Sequence, residues 1–250
     1  MPRGAGKMRQ SSMILRRRPR WPAHLGCVGL VVAACDAAPQ APPPQPDGPV
    51  DPAFLRKPFD GDYANGWPFD HDLPVNALAA ARISRGSPGV LDWRGQVVPL
   101  AWNGNGHDGN DFALPRGTPV LAAAAGEVER AGPEDPTSCG DAGVAAAIIV
   151  RVHHVGPGGV PYSTLYAHLD ELSVTAGDHV AAGQPVGLSG STGCASGPHL
   201  HFGVSAYAPD GRRIVVDPFG WSGAMPDPWS LEPDGWTSTW LWTVEPPDGG

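Results

Sequence analysis

HLHFGVSA, residues 199–206, has the two-residue period of a β-strand. On an extended backbone successive side chains alternate between faces, so His199 and His201 project together while Leu200 and Phe202 point to the other side. Two imidazoles on one face, backed by a strand that buries apolar residues opposite, make a rigid polar platform. By itself an HxH pair is weak evidence of chemistry, because paired surface histidines are common. Working outward, short runs recur at 118–124 (TPVLAAA), 127–131 (EVERA), 145–154 (AAAIIVRVHH), 162–169 (YSTLYAHL) and 184–190 (QPVGLSG), separated by clusters of Gly, Pro, Asp and Asn. That punctuation predicts an all-β, antiparallel domain. The chain's 34 Gly and 30 Pro point the same way, toward turns and short strands and away from long helices.

A chain of 250 residues with 41% hydrophobic content holds one domain of ordinary size plus tails. Seven of the 17 Lys and Arg fall within residues 1–34, which carry no acid, so the remainder sets ten basic groups against 25 acidic ones. A surface that acidic repels polyanions and excludes nucleic acid as a partner. The basic start precedes the apolar run LGCVGLVVAAC (25–35), an export signal too short for a stable bilayer span. Its end, VAAC (32–35), resembles the lipobox of bacterial lipoproteins, in which Cys35 is the lipidated first mature residue. Acyl chains there would tether the protein to a membrane, the alternative being a plain secretory signal with a chance cysteine. The stretch DAAPQAPPPQPDGPVDP (36–52) continues as an extended proline-rich spacer. The expected organisation is a signal peptide at 1–34, a tether at 35–51, a long irregular lead-in wrapping segment at 52–100, the globular domain at 101–216 and an aromatic extension at 217–250 that packs on the domain. In the lead-in, NALAAARIS (76–84) suits one or two turns of helix.

HDGND (107–111) supplies what the HxH pair lacks. His107 and Asp111 are four residues apart, but Gly109 and Asn110 between them argue for a loop entering a strand. Such a loop can bend so that an imidazole and a carboxylate converge. With one imidazole from the strand they make three donors of the types zinc accepts, and three donors leave a fourth position for water. The four cysteines are not spaced as a zinc knuckle. His168, in YAHL (166–169), sits near the end of a strand expected beside the platform, where it and the spare HxH histidine can orient water and take its proton.

HDGND, GTPVLAAAAGEV, YAHL, GDHVAAGQPVG and GSTGCASGPHLHF occur in the order seen in the M23 metallopeptidases, and this chain resembles the lysostaphin- and LytM-like endopeptidases of bacterial cell walls over about residues 101–206. The resemblance implies an antiparallel β-sheet or sandwich of the LytM-like, duplicated hybrid motif type, with a groove over the metal. It implies one zinc ion per domain held by His107, Asp111 and His201, with His168 and His199 positioning water and stabilising the transition state. It also implies action on the stem and cross-bridge peptides of peptidoglycan; with the lipobox-like VAAC, the expectation is a monomeric, membrane-anchored lipoprotein facing the periplasm or cell surface. Some LytM-like proteins lack their metal ligands and only activate wall amidases; here all five residues are present, so the non-hydrolytic regulator is the alternative. VTAGDHVAAGQPVG also occurs in biotinyl and lipoyl carriers, but residues 58–250 contain no lysine to carry the cofactor.

Among the other residues, His153 and His154 close a strand and suit structural roles, and His179 suits a solvated turn. Cys139 and Cys194 lie in loops expected to border the groove, where an oxidising compartment allows a disulfide between them.

Overall fold

The computed structural model describes residues 52–72, 89–99, 106–134, 145–231, 236 and 238–244. The expected signal peptide, Cys35, the tether, NALAAARIS and Cys139 lie outside the described residues. The strands are Asn65–Trp67 (β1), Gly89–Leu91 (β2), Val97–Pro99 (β3), Asn110–Phe112 (β4), Pro119–Leu121 (β5), Gly126–Pro133 (β6), Ile148–Val155 (β7), Pro161–Ala167 (β8), Leu169–Leu172 (β9), His179–Val180 (β10), Pro185–Ser189 (β11), Leu200–Tyr207 (β12) and Arg213–Val216 (β13). An eight-stranded sheet runs β1-β4-β12-β8-β7-β6-β10, with β13 joined to β12. A second sheet runs β5-β11-β9, and β2 and β3 form a separate ribbon. Pairing between these strands is antiparallel throughout, as the strand pattern predicts.

Alternation explains where the core sits. Phe112, Val150, Val152, Tyr166, Leu200, Phe202 and Val204 of the large sheet share one buried cluster with Val120, Leu169 and Val186 of the small one. Tyr166 and Phe202 face each other across β8 and β12, with ring centroids 5.5 Å apart. The residues that alternate with them, Ala167 and His201 among them, are carried to the opposite face. His154 is a core residue, hydrogen-bonded between the Ala125 carbonyl and Thr164 at 2.8 Å each.

The structure departs from the sequence expectations in three places. The lead-in is not irregular throughout: it supplies β1, which extends the large sheet beyond β4, and the β2–β3 ribbon. The run 162–169 does not stay one strand, because His168 adopts φ 64° and breaks it between β8 and β9. His179 is not in a turn but lies exposed in β10, paired with β6.

The far end of the chain closes against the lead-in. Phe54 and Leu55 both donate backbone N–H bonds to the Leu241 carbonyl at 2.9 Å. Trp242, 1% exposed, places its ring 5.5 Å from Phe202 and 5.6 Å from Phe219. Removing so large a buried ring leaves a cavity, so Trp242→Ala is expected to cost about 3–5 kcal/mol in urea unfolding. A loss under about 1 kcal/mol would mean that this tryptophan is not part of the core.

Candidate metal centre

Asp111 on β4 is the register partner of His201 on β12, so the two side chains meet on one sheet face. His107 reaches the same point from the loop before β4. That loop is held by the lead-in. His107 Nδ1 donates to the Pro68 carbonyl at 3.0 Å, and the Trp67 ring stacks on the imidazole at a centroid distance of 4.8 Å. Asp70 N donates to the His107 carbonyl at 3.0 Å, while Gly106 N donates to Asp70 Oδ2 at 2.8 Å. With Nδ1 engaged, the lone pair of His107 lies on Nε2. Gly109 is required by close approach: a Cβ there would stand 2.8 Å from the His201 ring and 2.7 Å from the Phe202 carbonyl.

Three donor atoms face a common centre. His107 Nε2 is 3.2 Å from His201 Nδ1 and 3.2 Å from Asp111 Oδ1, and His201 Nδ1 is 3.0 Å from the same oxygen. Tetrahedral zinc with bonds of about 2.0–2.1 Å needs neighbouring donors about 3.3–3.4 Å apart. The observed triangle meets that requirement within a few tenths of an ångström. His201 turns its other nitrogen, Nε2, toward Asp108 Oδ1 at 3.5 Å, the carboxylate–imidazole arrangement that orients metal-binding histidines.

His199 and His168 stand beside the triangle. His199 lies just before β12, bridged to Gly190, and its Nε2 is 3.5 Å from Asp111 Oδ2. Its Nδ1 donates to the Gly197 carbonyl at 2.9 Å. His168 Nδ1 donates to the Thr192 carbonyl at 2.7 Å, and its ring centroid is 4.6 Å from that of His199 and 6.0 Å from that of His201. Both rings therefore keep Nε2 available. The five residues named from sequence come together; Cys194, on the neighbouring loop, is disulfide-bonded.

Charge agrees with geometry. Burial alone would push the His201 pKa down, but hydrogen bonding and charge attraction from Asp111 raise it to about 9. Burial pushes Asp111 up, yet His107 and His201 together hold it well below the usual carboxylate range. Because the His201 pKa is raised, the proton is bound below about pH 9, and a metal ion must displace it. The apparent metal Kd is therefore expected to weaken about tenfold per unit as pH falls from about 8.5 to 7. Chelator competition reads this directly, and a Kd that is flat across that range contradicts it.

Sequence reasoning missed Trp67, Pro68, Asp70 and Asp108. Three of them act through a backbone carbonyl, a ring face or a loop turn, none of which leaves a periodic trace. The one available signal was WPFDHD (67–72), which sets aromatics beside a histidine and two acids in a segment without periodicity.

Residues 105–216 match the profile of peptidase family M23. The chain is 39% identical over 104 residues to glycyl-glycine endopeptidase ALE-1 of Staphylococcus capitis, an alignment covering 42% of this chain and 26% of that protein. It is 40% identical over 98 residues to peptidoglycan DD-endopeptidase ShyA of Vibrio cholerae, covering 38% of this chain and 19% of the relative. A crystal structure of a zinc-containing peptidase from Vibrio cholerae aligns at 29% identity with a TM-score of 0.40, over 65% of this chain and 39% of that one. The chain spans about a quarter or less of the length of these two curated relatives.

Proposed function

We infer, from the match of residues 105–216 to the profile of peptidase family M23, that this protein is an exported zinc endopeptidase acting on peptide bonds in peptidoglycan cross-links. The observation that carries the reading is the triangle of His107 Nε2, Asp111 Oδ1 and His201 Nδ1, whose edges of 3.0–3.2 Å suit tetrahedral zinc. His107, Asp111 and His201 hold the ion. Zinc in that position supplies Lewis acidity toward a peptide carbonyl and lowers the pKa of water toward about 7.

The remaining steps belong to the chain's own groups. The Pro68 carbonyl and Asp108 fix the orientation of the two ligand rings. His168 and His199, each anchored through Nδ1 to a carbonyl, present Nε2 beside the ligands. An unprotonated Nε2 accepts the proton of attacking water; once protonated, it donates a hydrogen bond to the oxygen on which charge develops. The regulatory alternative is disfavoured because such regulators lack ligands that are complete here.

Cys35 serves as the lipid anchor and 35–51 as the tether, placing the enzyme at the membrane on the periplasmic or outer face. Cys139 is assigned as the partner of Cys194. The deciding experiment incubates zinc-loaded protein with defined walls and sequences the released muropeptides. New amino termini that disappear with chelator and return with zinc support the proposal, and their position identifies the bond. A zinc-loaded protein that releases none refutes it.

A further inference from the structure

We infer that His71 is a positioning residue for the metal centre, gripped between Asp217 and Asp227 so that the segment after β13 fixes both the loop bearing His107 and the strand bearing Asp111. The inference rests on reading His107, Asp111 and His201 as zinc ligands.

His71 is fully buried, and both its nitrogens face acids. Nε2 is 3.1 Å from Asp217 Oδ2, and Nδ1 is 2.9 Å from Asp227 Oδ1. Asp217 and Asp227 are themselves buried, and the rings of Phe69 and Trp221 pack on the imidazole at 5.0 and 4.8 Å. An ionised carboxylate only accepts, so two such partners require that both ring nitrogens donate. The cluster is then an imidazolium between two carboxylates, a costly arrangement to bury unless each charge is paired. Burial by itself would lower the His71 pKa, but the bonds and charges of Asp217 and Asp227 raise it to about 9, in keeping with that geometry.

What the clamp touches gives it a role beyond holding two segments together. One residue back, Asp70 N holds the His107 carbonyl and Asp70 Oδ2 holds Gly106 N. Two further back, the Pro68 carbonyl takes the Nδ1 proton of His107. On the other side, Asp217 Oδ1 accepts from Asn110 Nδ2 at 3.1 Å, and Asn110 Oδ1 accepts from Asn65 Nδ2 at 2.6 Å. Asn110 is the residue before Asp111 on β4. One imidazole thus ties two zinc ligands to a segment beyond the last strand. Displacing either ligand atom by a fraction of an ångström changes metal affinity, and outer partners of this kind are worth about 10–100-fold.

The test uses the full mature chain and compares the parent with His71→Gln and Asp227→Asn. Gln keeps the volume but can satisfy only one acid, so the zinc Kd is expected to weaken about tenfold, with unchanged far-UV circular dichroism. The visible absorption of the cobalt(II)-loaded protein should shift, which a purely stabilising role would leave alone. Asp227→Asn keeps an acceptor for Trp229 N, bonded at 3.0 Å, and leaves Asp217 in place, so it should change both readouts in the same direction by less. If His71→Gln does not fold, Asp227→Asn carries the comparison. A parent that binds zinc while the folded variants match its Kd and cobalt spectrum overturns this inference alone. A parent that takes up no zinc overturns the metal reading and this inference with it.

Discussion

His107→Ala and Asp111→Ala are each expected to strip the metal from the protein and reduce wall hydrolysis to background. Zinc bound by a four-donor site is worth about 10–16 kcal/mol, or about 2.5–4 kcal/mol per donor, so losing one weakens binding about 10²–10³-fold. The two variants fail for different reasons. In His107→Ala the Pro68 carbonyl loses its donor and Trp67 its stacking partner, while His201 and Asp111 still pair at 3.0 Å. In Asp111→Ala two imidazoles remain 3.2 Å apart with no anion between them, so the raised His201 pKa must fall. His153→Ala is the control, because its Nδ1 lies 3.6 Å from Glu129 Oε1 and not among the three donors. Metal analysis after gel filtration, alongside amine release from walls, reads both effects. Full zinc occupancy in His107→Ala would remove the basis of the assignment.

How much of this was legible in the sequence depends on the kind of contact. The strands were legible wherever burial is one-sided: in HLHF the apolar residues lie in the core and the imidazoles on the other face. The residue types around HDGND declared a possible metal site, since few arrangements bring imidazole and carboxylate together without a structural reason. The register that sets Asp111 across from His201 was not legible, because it joins residues ninety positions apart through a strand of three. His168 was legible as a residue but not in its conformation. YSTLYAHL alternates like an unbroken strand, and the left-handed φ at His168 comes from the corner into β9 and from the Thr192 carbonyl. His71 and Asp217 were least legible, since charged residues are almost always found on the surface and only tertiary pairing makes their burial tolerable. The lead-in looked featureless for the same reason, as its work is done by Pro68 and Asp70 through hydrogen bonds that follow no period.

His168→Ala is expected to keep its zinc and lose turnover about 10²–10³-fold, the size of effect seen when a group that stabilises developing charge is removed. Its Nδ1 proton is committed to Thr192, so the working nitrogen is Nε2. Burial, and then the charge on His201, push the His168 pKa down to about 4, which leaves that nitrogen unprotonated near pH 7 and able to accept a proton from attacking water. Alanine also disfavours the left-handed backbone at this position, by about 1 kcal/mol, so a loss of activity alone could reflect a displaced loop. His168→Asn separates the two effects, since asparagine tolerates that conformation but has no basic nitrogen. Both variants should bind zinc as the parent does, and kcat should fall with little change in KM, because the ring acts as the reaction proceeds and not in holding the peptide. If His168→Asn, fully loaded with zinc, digests walls at the parent rate, proton transfer must run through His199 instead. His199 is the other imidazole beside the triangle that is not one of its three donors; its Nδ1 is tied to the Gly197 carbonyl and its Nε2 lies 3.5 Å from Asp111.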